Sequence, residues 1–219
     1  MAQIFSRAAN THARVIIFSV VALLVGLGCT TYAIFWSPYM TYVGVPREQP
    51  VPFSHKHHVG DAGIDCRYCH TSVEKSAFAG IPSTHICMTC HSQLWTEAPL
   101  LAPVRASLAT NRPIQWNRVN DLPDFAYFNH SIHISKGVGC STCHGQLDAM
   151  PLTWRTQTLY MKWCLDCHRA PEKYVRPHAE IFNLHWQPPP DQLAQGRLLV
   201  QQNQIDTSGR LTNCSTCHR

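Results

Sequence analysis

Cys66-Arg-Tyr-Cys69-His70 is the first of five copies of one pentapeptide, Cys-x-x-Cys-His. The others are Cys87-Met-Thr-Cys90-His91, Cys140-Ser-Thr-Cys143-His144, Cys164-Leu-Asp-Cys167-His168 and Cys214-Ser-Thr-Cys217-His218. Each copy reads as a c-type haem attachment site. Two thiols three positions apart reach the two vinyl groups of one porphyrin, and the adjacent imidazole serves as proximal iron ligand. Structural zinc is the competing reading. It calls for paired Cys-x-x-Cys units, or one such unit with two histidines, and has no need of His directly after the second Cys. An odd number of units leaves a remainder in any four-cysteine scheme. Dithiol redox chemistry likewise leaves the invariant histidine of the pattern without a role. The five copies take ten of the eleven cysteines, so no disulfide framework is left.

The chain has 219 residues, of which 14% are charged, with 18 Lys+Arg against 13 Asp+Glu. The excess of +5 is scattered rather than gathered into a basic run, which argues against nucleic acid as a partner. Five oxidised haems, with two propionates each, would cancel roughly that charge, and Arg is the better bidentate partner for them. Five haems in residues 52–219 leave about 34 residues per haem, too little protein for an ordinary core around each. The expected fold is therefore a multihaem cytochrome c in which porphyrin is the core. Short helices carry the motifs, long irregular segments join them, and sheet is nearly absent. Such a domain is expected not to fold without its haem, as small metal domains do not fold empty.

Residues 1–14 carry Arg7 and Arg14 and no acidic residue, and residues 15–36 then contain no charge. At about 1.5 Å per residue this stretch is long enough to cross a bilayer. Trp36, Tyr39 and Tyr42 follow as an interfacial aromatic group, and the arginines ahead of the span place the N-terminus in the cytoplasm. The reading is a single-pass anchor in the inner membrane with everything after it on the periplasmic face. A cleaved signal peptide is the rival. The stretch is longer than a usual signal core and no small-x-small cleavage site follows. Gly26-Leu27-Gly28-Cys29 only faintly resembles a lipoprotein box, and Cys29 reads as a small apolar residue.

Beyond a proline-rich linker at 37–52, the chain repeats itself. Phe53-Ser-His55-Lys-His57-His58 precedes Cys66, and Phe128-Asn-His130-Ser-Ile-His133 precedes Cys140. Both fit Phe-x-His-x-x-His, and each first motif is followed by a second. The expected organisation is two two-haem modules, 53–95 and 128–170, joined by a connector at 96–127 whose prolines prevent long helices. A segment at 171–219 follows, with a short helix from Asp191 to Gln202 capped by Asp191. In that helix Leu193, Leu198 and Leu199 face inward, and the fifth haem lies at the end of the segment.

The motifs supply His70, His91, His144, His168 and His218 as proximal ligands. Histidines at i and i+3 start from one helical turn and swing to haems on either side of it, so His55, His58, His130 and His133 read as four distal ligands. His57, whose counterpart is Ile132, reads as a solvated or propionate-facing residue. For the fifth distal position the candidates are Met161, then Met150, with His85, His178 and His185 behind them. A Met ligand would raise that haem's potential, whereas either Met could instead simply fill space against an aromatic surface. With both axial positions filled a haem passes electrons and binds no substrate. No acid/base constellation, phosphate loop or nucleophile motif is present, so the chain reads as a non-catalytic relay.

The N-terminal span, then FSHKHHVGDAGIDCRYCHTSVEKSAFAGIP (53–82), GVGCSTCHG (137–145), WCLDCHR (163–169) and CSTCHR (214–219), resembles the pentahaem cytochrome c subunit of bacterial alternative complex III, a quinol:electron-acceptor oxidoreductase. The resemblance covers nearly all of residues 15–219. It implies a periplasmic subunit set against an iron–sulfur/molybdopterin-like subunit and a monohaem cytochrome c, with quinol sites in integral membrane partners. It also implies five haem c groups, four bis-His and one His/Met. A stand-alone membrane-anchored quinol dehydrogenase feeding a periplasmic reductase is the alternative. A multihaem enzyme such as a nitrite reductase would need a five-coordinate haem.

Overall fold

A computed structural model describes residues 4–218 as two units, one ending at Tyr42 and one beginning at Val43. In the first, α1 (Ala9–Trp36) is a 28-residue helix with no buried side chain and apolar residues on every side, long and apolar enough to cross a membrane. It begins six residues ahead of the charge-free stretch. It ends where the Ser37 N–H donates to the Ile34 carbonyl and Pro38 opens a second turn, α2 (Pro38–Thr41).

The second unit contains no strand among its described residues, only isolated bridges such as Val43 with Arg155 and Val138 with Val175. Its helices are short, and each Cys-x-x-Cys pair occupies one turn of a helix: α3 (Cys66–Cys69), α4 (Thr84–His91), α7 (Cys140–His144), α8 (Met161–Arg169) and α10 (Cys214–Cys217). An i, i+3 pair on one turn puts both thiols on one face. Local sequence starts these turns. The Asp65 carboxylate accepts from the Arg67 N–H at 2.8 Å and the Asn213 side chain from the Ser215 N–H at 3.0 Å, the work of N-caps. Gly145 ends α7 with φ +68°.

The two copies of Phe-x-His-x-x-His differ in their helical turn. In the second copy the histidines open a regular helix, α6 (His130–Ser135), capped by Asn129. In the first, Lys56–Asp61 is a π-helical turn. Seven residues separate His58 from Cys66, and six separate His133 from Cys140. The wider turn coincides with the extra residue, and such π-turns concentrate at functional sites.

The connector holds only short helices among its described residues: Pro99 opens a 3₁₀ turn (Pro99–Leu101), and Pro103 sits in the first turn of the nine-residue α5 (Ala102–Thr110), where a missing N–H costs nothing. One expectation is corrected here. The C-terminal helix, α9 (Gln192–Gln202), forms, but Asp191 makes no side-chain cap, and its carboxylate instead accepts from the Gln195 amide. Leu193 and Leu198 are exposed, and Gly196 is the buried residue of that helix. A Cβ at Gly196 would lie 1.9 Å from the Glu172 carbonyl oxygen, so the helix docks on the turn Pro171–Lys173 through a bare backbone.

Among the described residues, eight hydrophobic side chains are buried, and the largest cluster is Val73, Ile134 and Ile181 with Cys140 and Phe182 at its edge. That is a thin core for a domain of this length, and it agrees with a fold in which porphyrin fills the interior.

Gly196→Ala is expected to destabilise the haem-loaded protein by about 2–4 kcal/mol, because helix and backbone must separate to admit the methyl group. Denaturant unfolding of the purified variant beside the parent checks this.

Candidate haem-binding sites

The candidate ligand histidines lie in facing pairs. The His130 and His144 rings have centroids 6.4 Å apart and planes 8° apart. His133 and His168 stand at 6.1 Å and 25°, and His58 and His91 at 6.2 Å and 67°. A metal–imidazole bond is about 2 Å and the nitrogen lies roughly 1.1 Å from the ring centre, so two imidazoles sharing one metal have centroids roughly 6 Å apart. The three pairs have the separation that one iron between them requires. His55 is held to a pKa of about 4, by burial first and then by the neighbouring His70, His144 and His58. His70, at the first motif, heads that set of neighbours.

A second regularity concerns the other ring nitrogen. His58 Nδ1–H donates to the Ser54 carbonyl at 2.8 Å, His70 to Gly80 at 2.6 Å, His91 to Leu94 at 3.2 Å and His130 to Ala77 at 2.8 Å. His133 donates to Asn129 at 2.7 Å, His168 to Leu211 at 2.9 Å and His218 to Phe125 at 3.0 Å, again to carbonyl oxygens. His55 Nδ1 is 2.9 Å from the Thr153 hydroxyl. His144 Nδ1 is 3.0 Å from the Asn120 carboxamide, whose two ends are nearly isosteric; turned over, its oxygen accepts the N–H. All nine candidate histidines thus have Nδ1 engaged and Nε2 left for a metal, the arrangement that fixes ring orientation and tautomer in ligating histidines.

The remaining histidines differ. His178 Nε2 bonds to the Asn203 side chain at 3.1 Å, and His185 Nε2 bonds to the Asp148 carboxylate. Their outer nitrogens are engaged by protein. His85 is exposed on α4. His57 stacks on the Trp95 indole at 5.3 Å and faces Asp61 at 3.6 Å.

The element shared by both copies of the repeat that carried no assigned role is the phenylalanine. Phe53 stacks on His58 at 4.3 Å and meets His55 edge-on at 4.9 Å. Phe128 stacks on His133 at 4.4 Å and meets His130 edge-on at 4.8 Å. One ring separates and orients both imidazoles of a turn, which favours their splaying to opposite sides. The internal repeat was the signal that could have found it.

Thiol neighbours give the order of the motifs in space. Burial raises the Cys69 thiol, and Cys87, Cys66 and Cys90 raise it further. Cys140, pushed by burial to about 11, has Cys66 beside it, and Cys143, pushed to about 12, has Cys167 and Cys164. Cys164 has Cys217. Hydrogen bonds agree: the Tyr68 and Thr89 hydroxyls, from the first and second motifs, meet at 2.9 Å, and His168 reaches the turn before the fifth motif. The motifs therefore run second, first, third, fourth, fifth.

The two candidate methionines separate on this map. Met150 is buried beside the first repeat, where its carbonyl accepts from the Lys56 N–H. Met161 opens α8, half exposed, on the stripe that continues through Cys164 and His168.

The donor chemistry suits haem. The seven motif thiols that burial raises are the reverse of the depressed thiols that perform disulfide exchange. Among the described residues no three of His, Cys, Asp and Glu converge as a bare metal-ion site. The histidines face in pairs across a gap, each pair beside its own two thiols.

This arrangement is that of a multihaem cytochrome c domain, mostly helical and irregular and without sheet among the described residues, as the sequence indicated. Residues 126–219, with three of the five motifs, match the family of cytochrome c7 and related cytochrome c. The chain is also 38% identical over 112 residues to the multiheme cytochrome c subunit of menaquinone reductase from Nitratidesulfovibrio vulgaris, a match over 50% of this chain and 51% of that protein. The chain thus spans about half the length of this curated relative.

Replacing His133 with Ala should open one axial position and produce a high-spin signal in the electron paramagnetic resonance (EPR) spectrum. His178→Ala and His185→Ala should leave the spectrum wholly low-spin, since their outer nitrogens are engaged elsewhere.

Proposed function

We propose that the chain is an electron-relay subunit carrying five haem c groups on the outer face of a membrane, in a complex that exchanges electrons with quinone. The observation that carries this is the set of imidazoles facing at 6.1–6.4 Å with every Nδ1 tied back. Bound there, each haem supplies one-electron reduction and reoxidation of its iron. Cys66 and Cys69, Cys87 and Cys90, Cys140 and Cys143, Cys164 and Cys167, and Cys214 and Cys217 are the thioether residues of the five sites. The axial pairs are His70 with His55, His91 with His58, His144 with His130, and His168 with His133. His218 takes Met161 across the fourth–fifth junction, and Met150 packs without ligating. With protein on both axial positions, no site is left for a substrate.

The ends of the series are the second and fifth motifs. Cys90 and Cys214 are exposed, whereas the thiols of the third motif are half-buried. Electrons enter and leave at these ends. In the pentahaem reading, the donor is quinol oxidised in integral membrane subunits, and an iron–sulfur/molybdopterin-like subunit and a monohaem cytochrome c are the neighbours. α1 holds the chain in the inner membrane with the haem domain in the periplasm. The name of the Nitratidesulfovibrio relative favours a second reading, in which electrons run towards menaquinone instead.

Three measurements on the detergent-purified complex test this. Pyridine haemochrome analysis should return about five haems per chain, unchanged in Cys29→Ser and lower in a Cys143→Ala, His144→Ala double variant. Met161→His should lower one midpoint in a redox titration, the fall expected when imidazole replaces thioether. Midpoints above the quinone couple support quinol oxidation, and midpoints below it support quinone reduction. Zinc in place of haem, or purification of the chain alone with quinol activity, would overturn the relay-subunit reading.

A further inference from the structure

Arg176 is buried, at 4% exposure, beneath the third motif. Its guanidinium donates to the Ser141 hydroxyl at 3.2 Å and the Thr142 hydroxyl at 3.0 Å, the two residues between Cys140 and Cys143. It also donates to the Asn183 carbonyl at 3.2 Å and lies 4.4 Å over the Trp186 ring. The backbone is shaped to admit it: a Cβ at Gly139 would fall 2.2 Å from the guanidinium carbon.

These partners are neutral. Among the described residues no carboxylate comes within ion-pair distance of Arg176. Of the acidic groups of the neighbourhood, Asp65 is paired with Arg67 at 2.8 Å, while Glu180 accepts from the Asn183 amide at 2.7 Å and acts on Arg176 only from beyond ion-pair distance. The Nε of Arg176 is buried with no acceptor. Burial accordingly draws the Arg176 pKa below the ordinary arginine value. Arg67, at the first motif, offers the contrast: it is half exposed and its charge is matched by Asp65.

Burying a cation is costly, and a buried charge acts on its neighbours through a low effective permittivity. Adding one electron to a ferric porphyrin removes one positive charge, so a fixed cation nearby favours the reduced form. We propose that Arg176 sets the third site as a high-potential step in the middle of the series, by placing a buried positive charge, with no protein carboxylate in ion-pair reach, against the Cys140–Cys143 turn. The inference rests on the five-haem reading above and adds to it a residue outside every motif. A unit charge acting over roughly 10 Å at an effective permittivity of about 20 changes a one-electron equilibrium by about ten-fold, which corresponds to about 59 mV.

The test is a redox titration of the full-length, membrane-purified protein, followed by EPR. The third site's signal is identified beforehand by its loss in His130→Ala. In Arg176→Gln the third midpoint should fall by about 59 mV, so that the ratio of reduced to oxidised haem at fixed potential drops about ten-fold. In Arg176→Lys, which keeps the charge, most of the potential should remain. Thr142→Asp leaves the arginine in place and sets a carboxylate against it, and the same fall is expected; this variant stands in if Arg176→Gln loses haem. An unchanged midpoint in both Arg176→Gln and Thr142→Asp overturns the proposal. So does an equal fall in Arg176→Gln and Arg176→Lys, which would assign the effect to the hydrogen bonds instead of the charge. Haemochrome analysis of the parent separates these results from a failure of the haem count itself.

Discussion

The structure depends on imidazole rings held by their inner nitrogens. A histidine ligates from Nε2 only if Nδ1 carries the proton, and a free ring in water has no strong preference. Bonding Nδ1–H to a carbonyl settles the tautomer and the ring plane together. Seven of the nine candidate ligands bond to a backbone carbonyl, and those carbonyls lie outside the α-helices, at 77–80, 94, 125 and 211 among others. The long irregular stretches are therefore the scaffold that aims the ligands. A helix or sheet would have spent these carbonyls on its own ladder.

The same constraint joins the modules. His130, from the second repeat, bonds to the Ala77 carbonyl of the first module, three residues from the Gly80 carbonyl that holds His70. One loop thereby orients ligands of two neighbouring sites. His168, of the fourth motif, is held by the turn that precedes the fifth. Adjacent sites share supports, so the spacing of the series follows from short covalent and hydrogen-bonded paths, with little buried hydrocarbon needed. The buried cluster at Val73, Ile134 and Ile181 does no more than close the seam between the first and third motifs.

The two modules are repeats with different electrostatics. In the first, Asp65 and Arg67 neutralise each other at the surface, and the Arg67 side chain holds the Asp65 carboxyl down at about 2. In the second, the turn between the cysteines is Ser-Thr, and the Arg176 guanidinium donates to both hydroxyls with no protein carboxylate in ion-pair reach. A series of chemically similar bis-imidazole sites would have similar potentials. Differences of this kind are how a protein grades them without changing a ligand.

Five Cys-x-x-Cys-His motifs, the Phe-x-His-x-x-His repeat and the charge-free stretch were legible in the sequence because each is a local pattern. Spacing along one turn decides which thiols share a face, and hydrophobic length decides what can span a bilayer. The linear pattern therefore determined the class of domain and the absence of sheet. It also misjudged local detail: Leu193 and Leu198 are exposed, and Gly196, lacking a side chain, is what α9 buries. The tertiary structure alone decided which imidazoles face each other, that the second motif precedes the first in space, and that His178 and His185 are engaged elsewhere. It also brought Arg176 beneath a motif 35 residues away in sequence. Those facts rest on contacts between segments far apart in the chain, and such contacts leave no periodicity to read.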